Sequence, residues 1–194
     1  FILLALSLLT SLVYVNLDNL KERYFNTLSF SSGEKLSLFD QYLTSAYGAH
    51  TLSALFIFEK NYFFGVGNKN FRNECHSVSE EVTKVQKKIE PNIKYLPISC
   101  STHPHQIYNE LLSEHGIIGT GIILIFIFSL IIKRIKLRKL SQLNYIALAY
   151  ILTVFIPIIP SGSFFTTNNS FLIFLAIAIL VSLSNKYKLK SHNN

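Results

Sequence analysis

The stretch STHPHQIYNELLSEHGIIGTG, Ser101 to Gly121, gathers three histidines, a glutamine and two glutamates just ahead of apolar sequence. Imidazole is the side chain whose ordinary pKa lies nearest neutrality, so such a cluster is suited to general acid–base chemistry. Ser101 or Thr102 can cap a helix, and Pro104 suits its first position, where a missing N–H costs nothing. On that reading His105 lies in the first turn. Unpaired amides and the positive end of the helix dipole favour an anion there and disfavour a protonated ring. A neutral His105 would accept a hydroxyl proton while a phosphate group sits beside it. The plainer alternative is a capped helix start in which His105 only bonds a carbonyl. Spacing places His105, Asn109 and Leu112 on one face, with Glu110, Glu114 and Gln106 on another.

The elements that must carry these residues follow from composition. Of 194 residues, 49% are hydrophobic and 15% charged, which is too apolar for an average soluble domain. The predicted fold class is an all-α integral membrane protein with about four transmembrane helices and a large, partly helical outer loop. Predicted segments are a helix over 1–17, an outer segment over 18–110 and a second helix over 111–132. A basic loop over 133–144, a third helix over 145–160, a short loop over 161–169, a fourth helix over 164–184 and a tail over 185–194 complete the order. A span needs about 20 apolar residues, with roughly 17 tolerated. All eleven acidic residues precede Gly116, and beyond Glu114 the charges are two basic clusters, KRIKLRKL and NKYKLK. Basic residues in short loops mark the cytoplasmic side, so 18–110 and 161–169 fall on the opposite side. The clusters read as membrane anchors, not as nucleic-acid contacts. The chain starts at Phe1 and contains no methionine, so the expectation is a C-terminal piece whose first span is truncated.

Within the outer segment, Asp40–Lys60 predicts one amphipathic helix with Leu43, Tyr47, Leu52, Leu55 and Phe56 on its apolar face. The glycines of FFGVGNKNF mark a tight turn, with phosphate binding the weaker reading of G-x-G. Glu80–Lys94 shows helical spacing without an apolar stripe and is expected to be solvated. Cys75 and Cys100 are the two cysteines. Outside the cytoplasm an even count favours a disulfide, and this one would close a loop worth about 3 kcal/mol. It would also hold Arg72 close to His105. A zinc site from Cys75, His76, Cys100, His103 and His105 is the rival reading, although its spacing matches no common pattern. Free thiols are the third. Gly116, Gly119 and Gly121 are expected to let the following helix pack closely.

These residues resemble a family. HQIYNELLSEHGIIG fits H-[NSQ]-x9-G-x-x-G through His105, Gln106, Gly116 and Gly119, the signature of the O-antigen ligase and O-antigen polymerase-like superfamily. FFGVGNKNF upstream, HPH before the motif, and SGSFF followed by asparagines occur in family order. The resemblance covers most of the chain from about His50 onward.

The resemblance implies a GT-C-like glycosyltransferase in the bacterial inner membrane, multi-pass, with its active site facing the periplasm. Such proteins take a glycan from an undecaprenyl-diphosphate carrier and pass it to lipid A–core or to another glycan, with no metal or cofactor. By the resemblance His105 is catalytic, while arginines grip the diphosphate. Arg72 is the chosen diphosphate ligand, with His103 and Gln106 beside it, because guanidinium geometry suits phosphate. Where many relatives carry an arginine the sequence has His50, which serves as a second cation only when protonated. Arg23 is the other candidate for that role. Implied partners are the lipid-linked donor, a lipid A–core or glycan acceptor and membrane lipids.

Overall fold

The computed structural model describes residues 36–93, 100–136, 140–157 and 160–191. The expected helix over 1–17, Arg23, and Arg138 and Lys139 of the basic cluster lie outside the described residues. Among the described residues every regular element is helical.

Serines set the first two helices. The Ser37 hydroxyl accepts the Asp40 N–H at 3.1 Å and starts α1, Leu38–Thr44. Ser45 then ends α1 and starts α2, Ala46–Lys60, its hydroxyl accepting the Gly48 N–H. The single helix expected over 40–60 is therefore broken. A serine that satisfies new first-turn amides makes a sharp corner at little cost. Gly48 permits the corner, since a Cβ there would stand 2.0 Å from the Tyr42 carbonyl oxygen. The buried face of α2 is made by Ala49, Ser53, Ala54 and Ile57, whereas Tyr47 and Leu55, expected to face inward, are exposed. Small residues let α2 lie close to its neighbours, and residue size overrode the apolar pattern.

The four-residue α3, Phe71–Glu74, continues through a 3₁₀ turn, Cys75–Val78, into α4, Ser79–Ile89. The expectation of a solvated segment is corrected here: α4 docks through Val82 and Gln86, both buried. The Gln86 amide donates to the Leu43 carbonyl at 2.9 Å, a contact that apolar periodicity does not register. Ala54, Ile57, Phe71, Cys75 and Val78 close a small core beneath these helices.

The long helix α5 runs Ile107–Ile135, 29 residues, and is long and apolar enough to cross a membrane. Two shorter apolar helices accompany it, α6 over Gln142–Val154 and α7 over Thr167–Ser191. They share a core with α5 that includes Ile107, Leu111, Ile131, Ala147, Ile151 and Ile173. The helix expected over 145–160 begins earlier, at its Ser141 cap, and stops at Val154. Pro157 supplies no N–H and holds Ile156 away from helical space, so the helix cannot continue. At 13 residues α6 is shorter than a straight crossing needs; it measures about 20 Å against roughly 30 Å of hydrocarbon.

The three glycines of α5 behave differently from one another. Gly116 packs against the backbone of Phe63 and Phe64, as expected of a close contact. At Gly119 the nearest atoms are the Cβ and Cγ of His115 on the same helix, and at Gly121 nothing lies within 4 Å. The expected helix–helix contact at Gly119 and Gly121 is thus absent among the described residues. At Gly119 the missing Cβ makes room for the His115 side chain, and at Gly121 it leaves open space.

Candidate functional site

Two loops close over the end of α5 that lies away from its basic residues. Gly116 interrupts the helix with φ 62° and ψ −170°. That departure deprives Ile117 and Ile118 of their own helical acceptors. Their N–H groups instead donate to the carbonyls of Tyr62 and Phe63, at 2.8 and 3.2 Å. In return the N–H groups of Val66 and Gly67 donate to the carbonyls of Ser113 and Glu114, at 3.0 and 2.8 Å. Gly65 sits opposite Gly116 at this crossing, and a Cβ on either would stand 2.4 Å from the facing backbone. The G-x-G is therefore a turn. The amides at Gly65, Val66 and Gly67 are all spent on protein carbonyls, which leaves no phosphate cradle there.

Two buried carboxylates complete the attachment. Glu114, 1% exposed, accepts the N–H groups of Lys69 at 2.8 Å and Phe71 at 3.2 Å. Glu110, equally buried, accepts the Ser163 hydroxyl and, at 2.8 Å, the Phe164 N–H. One turn apart, the two acids hold one loop each. Burying a carboxylate is costly unless several donors face it, and here donors are supplied by chain far away in sequence. Sequence reasoning placed both acids on one face but gave them no role. The available signal was their position, as two charges on one stripe directly above an apolar helix.

The histidines are placed by the start of α5, which differs from expectation. Gln106, not Ser101 or Thr102, is the cap: its side-chain oxygen accepts the Asn109 N–H at 2.8 Å. The carbonyl of His105 would otherwise take that amide. Released, it accepts the Ser161 N–H at 2.8 Å. His105 consequently stands outside the helix in the left-handed region, with φ 55°. Such a conformation costs a side-chain-bearing residue about 1–2 kcal/mol and persists only where its surroundings enforce it. Thr102 pairs instead with His103 Nδ1 at 3.0 Å, and the Ser101 hydroxyl bonds the His103 carbonyl.

The strained residue completes a group of three imidazoles. The His105 ring lies 4.2 Å from that of His103 and 5.3 Å from that of His50, with Tyr47 edge-on at 6.1 Å. Burial, and then the positive charge His103 can carry, hold the His105 ring below the ordinary 6.5. Burial and the charge of His50 do the same to His103, against an opposing contribution from the Ser161 backbone. His105 is thus kept neutral near pH 7, the form that accepts a proton. Nearby, the Asn109 amide donates to Thr51 at 2.9 Å, and Tyr42 shares a hydrogen bond with the same hydroxyl at 2.6 Å. This chain fixes α1 and α2 against α5.

Other expected site residues are more scattered. The Cys75 and Cys100 sulfurs are bonded to each other, with Cα atoms 5.2 Å apart. His76 lies beside them, but sulfurs joined in a disulfide are not thiolate ligands. Arg72 is exposed, and its charge acts on Glu114; among the described contacts none joins it to His105. The disulfide ties residue 100 to residue 75, three residues beyond Arg72. Gln106 works first as a cap, and His50 and His103 join His105 directly. No family model, no curated protein and no solved structure matches the chain.

Proposed function

We propose that this chain belongs to a membrane glycosyltransferase of the O-antigen ligase or polymerase type and carries its catalytic histidine. Its donor in this reading is a glycan on an undecaprenyl-diphosphate carrier. Its acceptor is a hydroxyl of lipid A–core or of another glycan at the periplasmic face of the inner membrane. In this reading the protein is a multi-pass, GT-C-like bundle with α5, α6 and α7 among its spans. The observation that carries the reading is His105, a proton-accepting imidazole held in a strained conformation at the rim of a membrane-length helix.

The chemistry is a single inverting displacement. The acceptor oxygen attacks the anomeric carbon while His105 takes its proton, and the bond to the diphosphate oxygen breaks with its electron pair on the leaving group. Burial and then the charge of His103 hold the His105 pKa down, and Gln106 fixes the helix start beside it. Arg72, being exposed, remains free to meet the diphosphate charge. Replacing His105 with alanine in the full-length protein should reduce transfer about a hundredfold or more. Surface polysaccharide in a strain lacking the protein, read beside its level in the membrane, tests this. Restored polysaccharide with His105→Ala rejects the assignment.

The disulfide-tied core around Phe71 and Cys75 favours a second reading, a non-catalytic outer domain that binds a partner. Under that reading the His105 substitution leaves surface polysaccharide unchanged. Thiol titration and elemental analysis separate its disulfide and zinc versions.

A further inference from the structure

We propose that the turn Tyr62–Phe63–Phe64 is a lipid anchor, seated at the boundary between headgroups and acyl chains. The proposal rests on α5 crossing a bilayer and is independent of the glycosyltransferase reading.

The height of the turn is set by hydrogen bonds. The carbonyls of Tyr62 and Phe63 receive the N–H groups of Ile117 and Ile118, the first residues after the break in α5. From Ile117 to Ile135 the helix rises about 27 Å, close to the roughly 30 Å hydrocarbon thickness. Lys133 and Lys136, both exposed, lie near the far end, where long basic side chains reach the opposite headgroups. The break at Gly116 therefore falls at the other edge of the hydrocarbon, and the turn is pinned to that level.

The exposed chemistry agrees with the height. Tyr62, Phe63 and Phe64 are 48%, 62% and 75% exposed, although a tight, well-bonded turn could have carried polar residues. Beside them Ile117, Ile118 and Ile122 are also exposed, so the aromatic turn continues the apolar face of α5 without interruption. Aromatic side chains concentrate at this depth because a ring gains from apolar contact while a phenol hydroxyl keeps a polar partner. The occupant is therefore lipid, and the turn ties the loop fastened at Gly116 to the membrane surface.

Tryptophan is absent from the sequence, so Phe64→Trp adds a reporter whose signal is the difference between variant and parent. The full-length protein is reconstituted in phosphatidylcholine vesicles whose acyl chains carry bromine near either the glycerol end or the methyl end. The expected result is about twofold loss of the added emission with bromine near the glycerol end, and less near the methyl end. Aqueous acrylamide should quench it weakly. Lys88→Trp, on the exposed face of α4, serves as a control and should respond to acrylamide alone. If the residue 64 emission is quenched by acrylamide and not by bromine, the turn stands in water and the proposal fails. If neither quenches it, protein covers the turn, from this chain or a second copy, and the proposal also fails. Should Phe64→Trp reach the membrane poorly, Phe63→Trp answers the same question.

Discussion

His105 carries a backbone cost that only its neighbours can justify, and those neighbours are themselves bases. With the folded pKa below 6.5, the unfolded chain binds more protons just under that value. This group's contribution to stability is then complete above pH 6.5 and declines as pH falls toward the folded pKa. A general base with this shift stays active somewhat below pH 6.5. Replacing His103 with alanine removes a nearby charge and part of the enclosure, so the acid limb should move up toward 6.5. Transfer rates measured against pH check this, and an unmoved limb would mean that His103 does not tune His105. The histidine and its spacing to Gly116 were legible in the sequence. The left-handed backbone was not, because it depends on Ser161 taking a carbonyl that Gln106 had released. The roles of Glu110 and Glu114 were hidden for the same reason, since their donors lie in separate loops.

Among the elements, α5 is the one that the pattern of apolar residues made plain, and its interruption is what the pattern concealed. A glycine in an apolar run reads equally well as a packing contact or as a break. Gly116 and Gly121 show both how such positions differ and how to measure it. Gly116→Ala meets a disallowed φ and the Phe63 backbone together, so it should destabilise by at least about 2 kcal/mol. Gly121→Ala meets nothing and replaces a poor helix former, so it should be neutral or stabilise by up to about 1 kcal/mol. Thermal unfolding in detergent, followed by circular dichroism, distinguishes them. Equal effects would mean that the crossing at Gly65 and Gly116 is absent in the protein. The corner at Ser45 escaped prediction because a serine inside a helical pattern is also compatible with a continuous helix.

For the whole molecule, the sorting of charge supplied the expected topology, and among the described residues one helix is long and apolar enough to test it. Lys88 and Lys136 are both exposed and stand on either side of that helix in the chain. Under the proposed topology an impermeant maleimide should label Lys88→Cys from outside, and Lys136→Cys only after permeabilisation. Cys75 and Cys100, bonded to each other, should stay unlabelled until reduced. Labelling of both positions from one side rejects the topology. The apolar runs and basic clusters were readable because each is local, whereas the fastening of the two loops to α5 depends on partners far apart in the chain. One further property follows from the two acids and the glycine below them. Each added residue turns a helix by about 100°. A single insertion between Glu110 and Gly116 would swing one fastening point away from the other, so both loops could not be held together. That short interval works as a ruler: Glu110, Glu114 and Gly116 act together only at this one separation.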